Sequence, residues 1–273
     1  MRILDLLVKE RINLNLQAST KSEVIKEIAW SFEETKVLNH YDDFVTAVNA
    51  REALSSTALE EGIAIPHAKT NAIKKAAVAI GRKLDGIDYD SLDGEKSQLF
   101  FMIGAPDGAN NEHIEVLAKL SQLLLDDDFR LALLKANSAE EVMSLIDRKE
   151  TEKAEEAKNV VVNTDADYIV AVTACPTGIA HTYMAEEALK KAAKEMGVNI
   201  KVETNGTDGT KNLLTAEEIK KAKGVILAVD RNVETNRFSG KKVIKTGAKD
   251  GINNAKKLIQ RVLDGDAPIF AGD

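Results

Sequence analysis

The first half of the chain combines helical spacings of apolar residues with short apolar runs. Thr20 and Glu23 form a capping box, the side chain of each bonding the other's backbone N–H, before a helical stripe. The stripe consists of Val24, Ile25, Ile28, Ala29 and Phe32. Further helices are predicted over residues 42–54, with Phe44, Val45 and Val48 inward, and over 113–125, 127–135 and 138–146. Strands are predicted over 77–82 and 98–103, and 62–66 is a loop or edge strand because a proline cannot donate to a central ladder. This half predicts an α/β domain with a mixed sheet.

The second half alternates strand and helix patterns more regularly. Strands are predicted over residues 168–174, 199–204, 224–230 and 242–246, and helices over 181–196 and 250–264. Gly197 ends the first of these helices, and Thr215 with Glu218 caps a further one. Such alternation predicts a four-stranded parallel, Rossmann-like α/β domain. Ligands of these sheets bind beyond the carboxyl ends of the strands.

A charged segment separates the two halves. Nine of the twelve residues 147–158 are charged, and the residues that follow have no helical apolar stripe. We therefore expect a domain at 1–147, a charged linker at 148–167, a second domain at 168–264 and a C-terminal tail at 265–273.

Composition limits the classes of function. With 44% hydrophobic and 30% charged residues the chain is typical of soluble globular proteins, and no apolar run approaches the length of a membrane span. A single cysteine excludes an internal disulfide and fits a reducing cytosol. The net charge of −7 argues against nucleic acid as a partner.

Residues 1–147 carry 16 Lys and Arg against 25 Asp and Glu, whereas residues 168–273 carry 17 against 13. These opposite net charges would favour an encounter between the halves.

Cys175 lies where a phosphate-binding loop would be expected. It follows the apolar run at 169–174 and precedes a Pro-Thr-Gly turn and a helical pattern. The N-terminus of a helix stabilises a thiolate and can bind a phosphoryl dianion, so Cys175 is a candidate phosphoryl carrier. A buried cysteine that acts as a small hydrophobe remains the alternative. Cysteine-dependent phosphatases have an arginine six positions after the cysteine; here His181 occupies that position, which favours relay over hydrolysis.

Two histidines and one arginine of the first half are further candidates. His67 follows a Gly-Ile-Ala-Ile-Pro turn, and His113 opens an apolar helix, where the helix N-terminus favours neutral imidazole. Arg51 precedes a Ser-Ser-Thr loop and could clamp a phosphate. From spacing alone a structural role is the more common one for each histidine. No metal site is indicated, because no two histidines have i, i+4 spacing.

These motifs together resemble a known family. Residues 1–147, through REALSST at 51–57, GIAIPH at 62–67 and His113 after GAPDG, resemble the fructose/mannitol-type enzyme IIA of the bacterial phosphoenolpyruvate-dependent sugar phosphotransferase system (PTS). Residues 168–264, through ACPTGIAHTYMA at 174–185 and Arg237-Phe238, resemble the fructose-type enzyme IIB.

The resemblance implies a phosphoryl relay. Phospho-HPr would phosphorylate His67 on Nε2, His67 would pass the group to Cys175, and Cys175 to a sugar held by a membrane enzyme IIC. Arg51 and His113 would stabilise the phosphoryl group on His67. Around Cys175 the backbone N–H groups and hydroxyls of the following loop could do so. These residues are Thr177, Gly178, Ile179, Ala180, His181 and Thr182. The relay that the resemblance implies requires no cofactor and no metal.

The same resemblance leaves alternatives open. Fructose is the expected sugar, with mannose, mannitol and mannosyl-glycerate not excluded. We expect a cytoplasmic protein at the inner face of the membrane, held there through enzyme IIC. A complete permease would continue into that multi-span domain. A regulatory phosphocarrier and a cysteine phosphatase are the rival functions.

Overall fold

The computed structural model describes residues 2–59, 61–91, 93–108, 112–158, 166–176, 180–206 and 209–272. Side chains are not described at 112–114 and 156–158. The chain divides into two compact units, Met1–Ala157 and Lys158–Asp273, which are described separately below. None of the described helices is long and apolar enough to cross a bilayer.

The first unit is an α/β domain with a mixed sheet. Its strands are β1 (Leu7–Asn13), β2 (Ile63–Ala64), β3 (His67–Lys69), β4 (Ala77–Ile87) and β5 (Ser97–Ala105). Its helices are α1 (Lys21–Glu34), α2 (Tyr41–Leu54), α3 (Glu112–Leu123), α4 (Asp127–Lys135) and α5 (Ala139–Lys158), and a 3-10 turn spans Ile3–Asp5. In the described part the sheet order is β1-β4-β5-β2, with β3 also paired to β5. Only β4 and β5 run antiparallel among these pairs, so the predicted mixed sheet is confirmed.

Helices α1 and α2 cover one face of this sheet. The capping box predicted for α1 is present, since the Thr20 hydroxyl accepts from the Glu23 N–H and the Glu23 carboxylate accepts from the Thr20 N–H. The predicted stripe lies in the core with Phe44 and Val48 of α2 and Phe100 of β5, all fully buried. Residues 63–64 form an edge strand, one of the two options that Pro66 left open.

The first unit differs from the sequence prediction in three elements. Strands β1 and β3 were not predicted, because β1 is largely exposed and charged and β3 is very short. Helix α5 continues to Lys158, past the expected end at residue 146. Its continuation packs against the start of the chain, where Glu150 Oε1 accepts from the Ile3 N–H at 2.9 Å. The helix thus enters the segment expected to be a linker, of which residues 159–165 lie outside the described part.

The second unit is a sheet with helices on both faces. Its strands are β6 (Tyr168–Ala174), β7 (Asn199–Gly206), β8 (Gly209–Lys211), β9 (Val225–Val229) and β10 (Val243–Thr246). Its helices are α6 (Ala180–Glu195), α7 (Ala216–Lys221), α8 (Ala248–Asn253) and α9 (Ala255–Leu263), and a 3-10 turn spans Asn236–Phe238. The strand order is β10-β9-β6-β7-β8 over the described residues. Leu189 of α6 and Leu258 of α9 pack on one face, and Ile219 of α7 and Phe238 on the other.

The four predicted parallel strands are confirmed. Two details are corrected. The short strand β8 adds antiparallel to β7, which makes the sheet five-stranded in the described part. The last helix, predicted as one, is divided at Asn254, whose φ of −121° is not helical. Cys175 follows β6 directly, beyond the carboxyl end of a central strand.

Candidate functional site

His67 is the first residue of β3 and is held on both ring nitrogens. Its Nδ1 lies 2.7 Å from the carbonyl oxygen of Ile65, and its Nε2 lies 3.1 Å from Nε of Arg51. Because a carbonyl only accepts and an arginine Nε–H only donates, the hydrogen of the neutral ring must lie on Nδ1. Nε2 then presents its lone pair, and it is the nitrogen that the resemblance implied as the phosphoryl acceptor.

The backbone around His67 is fixed by the neighbouring strand. The Pro66 carbonyl accepts from the N–H of Ile103 at 3.0 Å, and His67 is in register with Ile103 in the parallel pairing of β3 with β5. The ring is therefore presented from the edge of a rigid sheet rather than from a loose loop.

Arg51 lies in the last turn of α2. Besides its bond to His67, its Nη1 donates to the Ser55 carbonyl at 3.1 Å. Burial lowers the pKa of the guanidinium, which still stays charged at neutral pH as arginines do. The structure thus brings together Arg51 and His67, two predicted site residues, and places a cation against Nε2 of His67.

His113 is the second residue of α3, and its side chain lies outside the described part. Its proposed role beside His67 therefore stays a prediction.

Cys175 is fully buried and makes two hydrogen bonds to the hydroxyl of Thr182. Its backbone N–H donates to Oγ1 of Thr182 at 2.9 Å, and the same hydroxyl donates to Sγ at 3.3 Å. Thr182 lies in the first turn of α6 and is itself buried. A hydrogen bond donated to sulfur stabilises a thiolate more than a thiol. Cys175 and Thr182, predicted as part of one site, are indeed in contact.

The remaining residues of the predicted loop are only partly described. Thr177, Gly178 and Ile179 lie outside the described residues. Ala180 begins α6, and the half-exposed His181 follows it. The first turn of this long helix contacts Cys175 through Thr182, and a helix N-terminus near a cysteine can bind an anion.

Arg237, part of the motif that resembled enzyme IIB, is engaged in an internal ion pair. Its Nη2 donates to Oε1 of Glu203 on β7. Burial alone would raise the pKa of Glu203, but bonds from Arg237, the Leu214 N–H and Asn205 outweigh it and lower that pKa. Arg237 thus fixes the 3-10 turn at Asn236–Phe238 to the central sheet.

Sequence reasoning did not identify the partners that orient these groups. The Ile65 carbonyl and the Ser55 carbonyl belong to the backbone and leave no signal in side-chain chemistry. Glu52, whose carboxylate accepts from the backbone N–H of Thr57 at 2.7 Å, did leave a signal, because it extends the inward stripe of α2 four residues beyond Val48. Among the described residues, no group of three or more His, Cys, Asp or Glu side chains could hold a metal ion.

Comparison with known families agrees with this geometry. Residues 5–149, which contain Arg51 and His67, match the family described as "Phosphoenolpyruvate-dependent sugar phosphotransferase system, EIIA 2". This chain belongs to the PTS EIIA 2 family. Residues 170–261 of the same PTS chain match "PTS system, Lactose/Cellobiose specific IIB subunit". The PTS chain therefore carries an EIIA unit and an EIIB unit.

Individual relatives are similar over one or both PTS units. The chain is 46% identical, over its whole length, to the PTS system fructose-specific EIIABC component of Bacillus subtilis, of which it covers 43%. It is 34% identical over 79% of its length to the PTS system 2-O-alpha-mannosyl-D-glycerate-specific EIIABC component of Escherichia coli, covering 32% of that protein. This PTS chain therefore spans less than half the length of these relatives.

The EIIA unit also has a solved structural relative. The crystal structure of nitrogen regulatory protein IIA-Ntr from Neisseria meningitidis aligns with 52% of this chain and 97% of its own, at 31% identity and a TM-score of 0.50.

Proposed function

We propose that this PTS chain relays a phosphoryl group from phospho-HPr through His67 and Cys175 to a sugar. The observation that carries the proposal is the pair of bonds on His67, which leaves the Nε2 lone pair beside the Arg51 guanidinium. Phosphoryl transfer needs in-line positioning and compensation of negative charge more than covalent assistance. An imidazole nitrogen that carries no hydrogen of its own and accepts from a fixed cation meets both needs.

Each step exchanges one bond to phosphorus for another. In the first, Nε2 of His67 attacks phosphorus and the nitrogen–phosphorus bond of the donor phosphohistidine breaks. In the second, the Cys175 thiolate attacks, a sulfur–phosphorus bond forms, and the electron pair returns to Nε2. In the third, a sugar hydroxyl attacks, the thiolate leaves, and the hydroxyl proton passes to a base or to water. Arg51 and Thr182 would compensate charge at the first and second acceptors.

The proposed substrate and partners are those that the names of the relatives suggest. Fructose is the proposed sugar, because the B. subtilis relative is named as fructose-specific. The proposed activity is that of a protein-Nπ-phosphohistidine–sugar phosphotransferase. The donor would be phospho-HPr and the acceptor side a membrane EIIC, which places this chain in the cytoplasm at the inner membrane face. His113, Thr177, Gly178, Ile179, Ala180 and His181 are proposed to bind the phosphoryl group in passage.

The linker between the two domains would promote the second step, the transfer from His67 to Cys175. We propose an EIIA domain at 1–147, a linker at 148–167, an EIIB domain at 168–264 and a tail at 265–273, with α5 of the EIIA unit extending into the first part of that linker. A flexible tether makes transfer from His67 to Cys175 intramolecular, at an effective concentration on the order of millimolar.

A regulatory phosphocarrier is the second candidate, favoured by the likeness of the EIIA unit to IIA-Ntr. In that case phosphorylation of His67 would control a partner protein. The Cys175–Thr182 arrangement of the EIIB unit favours relay instead, because a regulator needs no second acceptor.

The test is phosphoryl incorporation from phosphoenolpyruvate with enzyme I and HPr, read by intact mass under conditions that preserve phosphohistidine. We expect Cys175→Ser to gain one phosphoryl group and His67→Ala to gain none. Normal labelling of His67→Ala would overturn the assignment of His67. A Cys175→Ser chain that still delivers phosphoryl to sugar in the presence of EIIC would overturn the relay.

A further inference from the structure

The carboxylate of Glu52 lies inside the first unit, next in sequence to Arg51. It is 8% exposed and continues the inward face of α2. Its Oε1 accepts from the backbone N–H of Thr57 at 2.7 Å, and its Oε2 accepts from the Thr57 hydroxyl. One carboxylate therefore holds both the backbone and the side chain of Thr57.

Lys21 balances the buried charge of Glu52. Its Nζ lies 2.8 Å from Oε1 of Glu52, 3.0 Å from Asp90 Oδ2, and 4.6 Å from the centre of the Tyr89 ring. Burial works to lower the pKa of Lys21, but the bonds to Glu52 and Asp90 raise it overall, so the ammonium stays charged. A buried carboxylate is tolerated when it is paired and fully hydrogen-bonded in this way.

Thr57 connects this ion pair to the reactive histidine. The Thr57 carbonyl accepts from the Ile65 N–H at 3.0 Å, and the Ile65 carbonyl receives the Nδ1–H of His67 at 2.7 Å. On the other side of the ring, Nε2 of His67 accepts from Arg51, which is joined to Glu52 by a peptide bond. The bonds therefore form a closed circuit from Glu52 through Thr57, Ile65, His67 and Arg51.

We propose that Glu52, held by Lys21 and bonded to Thr57, is a positioning residue that selects Nε2 of His67 as the phosphoryl acceptor; this rests on the proposed function of His67. If Thr57 shifts, the Ile65 carbonyl moves with it and the Nδ1–H bond weakens. The competing tautomer places the hydrogen on Nε2, where it blocks the lone pair and opposes the N–H of Arg51. The circuit thus stabilises the reactive tautomer without contact between Glu52 and the phosphoryl group.

The experiment compares the full chain with Glu52→Gln and Thr57→Val. Thr57→Ser, which keeps the hydroxyl, is the conservative rescue, and Glu33→Gln is the control for an exposed carboxylate on α1. Long-range ¹H–¹⁵N spectra of the unphosphorylated protein report the His67 tautomer. Single-turnover transfer measured over a range of phospho-HPr concentrations separates the maximal rate, kcat, from the half-saturating concentration, KM. The circular dichroism spectrum checks that each variant is folded.

We expect wild type, Thr57→Ser and Glu33→Gln to show the Nδ1–H tautomer. Glu52→Gln and Thr57→Val should show a mixture of tautomers and a kcat lower by roughly tenfold at unchanged KM. A pure Nδ1–H tautomer with wild-type kcat in folded Thr57→Val would overturn the inference, whether or not Glu52→Gln folds. Absence of phosphorylation at His67 in the wild type would instead overturn the proposed function, while the tautomer spectra would still test Glu52.

Discussion

The hydroxyl of Thr182 lies 3.3 Å from Sγ of Cys175 and 2.9 Å from the backbone nitrogen of the same residue. It accepts from the nitrogen and so directs its own hydrogen at the sulfur. This ties the first turn of α6 to the end of β6 through a single side chain. The reactive form of a thiol is the thiolate, which this hydrogen bond stabilises.

Thr182→Val should therefore slow transfer from His67 to Cys175. A hydrogen bond to a charged acceptor contributes about 1.5 kcal/mol or more, so we expect a rate lower by about tenfold. The decay of phosphohistidine in rapid-quench experiments, followed by peptide-level mass spectrometry that locates the phosphoryl group on His67 or Cys175, measures it. Thr182→Ser keeps the hydroxyl and serves as the control. Equal rates in Thr182→Val and wild type would contradict a role for this bond.

Arg51→Lys should slow phosphorylation of His67 although it keeps the charge. The guanidinium bonds Nε2 of His67 and the Ser55 carbonyl at the same time, and a single ammonium cannot reproduce that fork. We expect a loss of about tenfold or more in the rate of labelling from phospho-HPr. The matched control is Arg148→Lys, an exposed site on α5. A rate unaffected by Arg51→Lys would mean that charge alone suffices.

Local sequence signals predicted much of this fold. The capping boxes at Thr20 and Thr215 and the stripe from Val24 to Phe32 need only neighbouring residues, and each is present. The end of α5 could not be predicted in this way. It depends on Glu150 bonding the Ile3 N–H, a contact between the two ends of the unit that no local window contains.

The site shows the same division. The Gly-Ile-Ala-Ile-Pro turn and the lone cysteine after a strand marked His67 and Cys175 from local pattern and family resemblance. The hydrogen position on His67 could not be predicted, because it is set by a backbone carbonyl at Ile65. The burial of Glu52 could have been predicted, because it continues the inward face of α2. Its pairing with Lys21 could not, because Lys21 lies on α1 and no local pattern connects the two helices.

Acid should weaken the second unit through Glu203. Its pKa is lowered in the folded state, so its carboxylate stabilises the fold above the ordinary value of 4.5, and this contribution is lost as pH falls through the folded pKa. At neutral pH, Glu203→Gln leaves Arg237 without its partner and should cost about 3 kcal/mol. Below pH 4.5 the difference should shrink, because a protonated Glu203 resembles glutamine.

Hydrogen exchange at β6, corrected for the intrinsic effect of pH, measures this difference. Glu217→Gln, exposed on α7, is the control and should match wild type throughout. A difference between Glu203→Gln and wild type that stays constant from neutral to acid pH would contradict the linkage to this carboxyl.

Lengthening the linker should slow transfer from His67 to Cys175 without affecting the first step. The effective concentration of tethered partners falls as roughly the −3/2 power of tether length, so a tether of doubled length predicts a rate lower by about threefold. Added salt should act in the same direction, because the net charges of residues 1–147 and 168–273 have opposite signs. Single-turnover decay of phosphohistidine after removal of HPr measures both effects.

A mixture of His67→Ala and Cys175→Ser chains, in which transfer must occur between molecules, gives the rate without a tether. If that mixture at micromolar concentration matches the wild-type rate, the tether contributes nothing and residues 148–167 need another explanation.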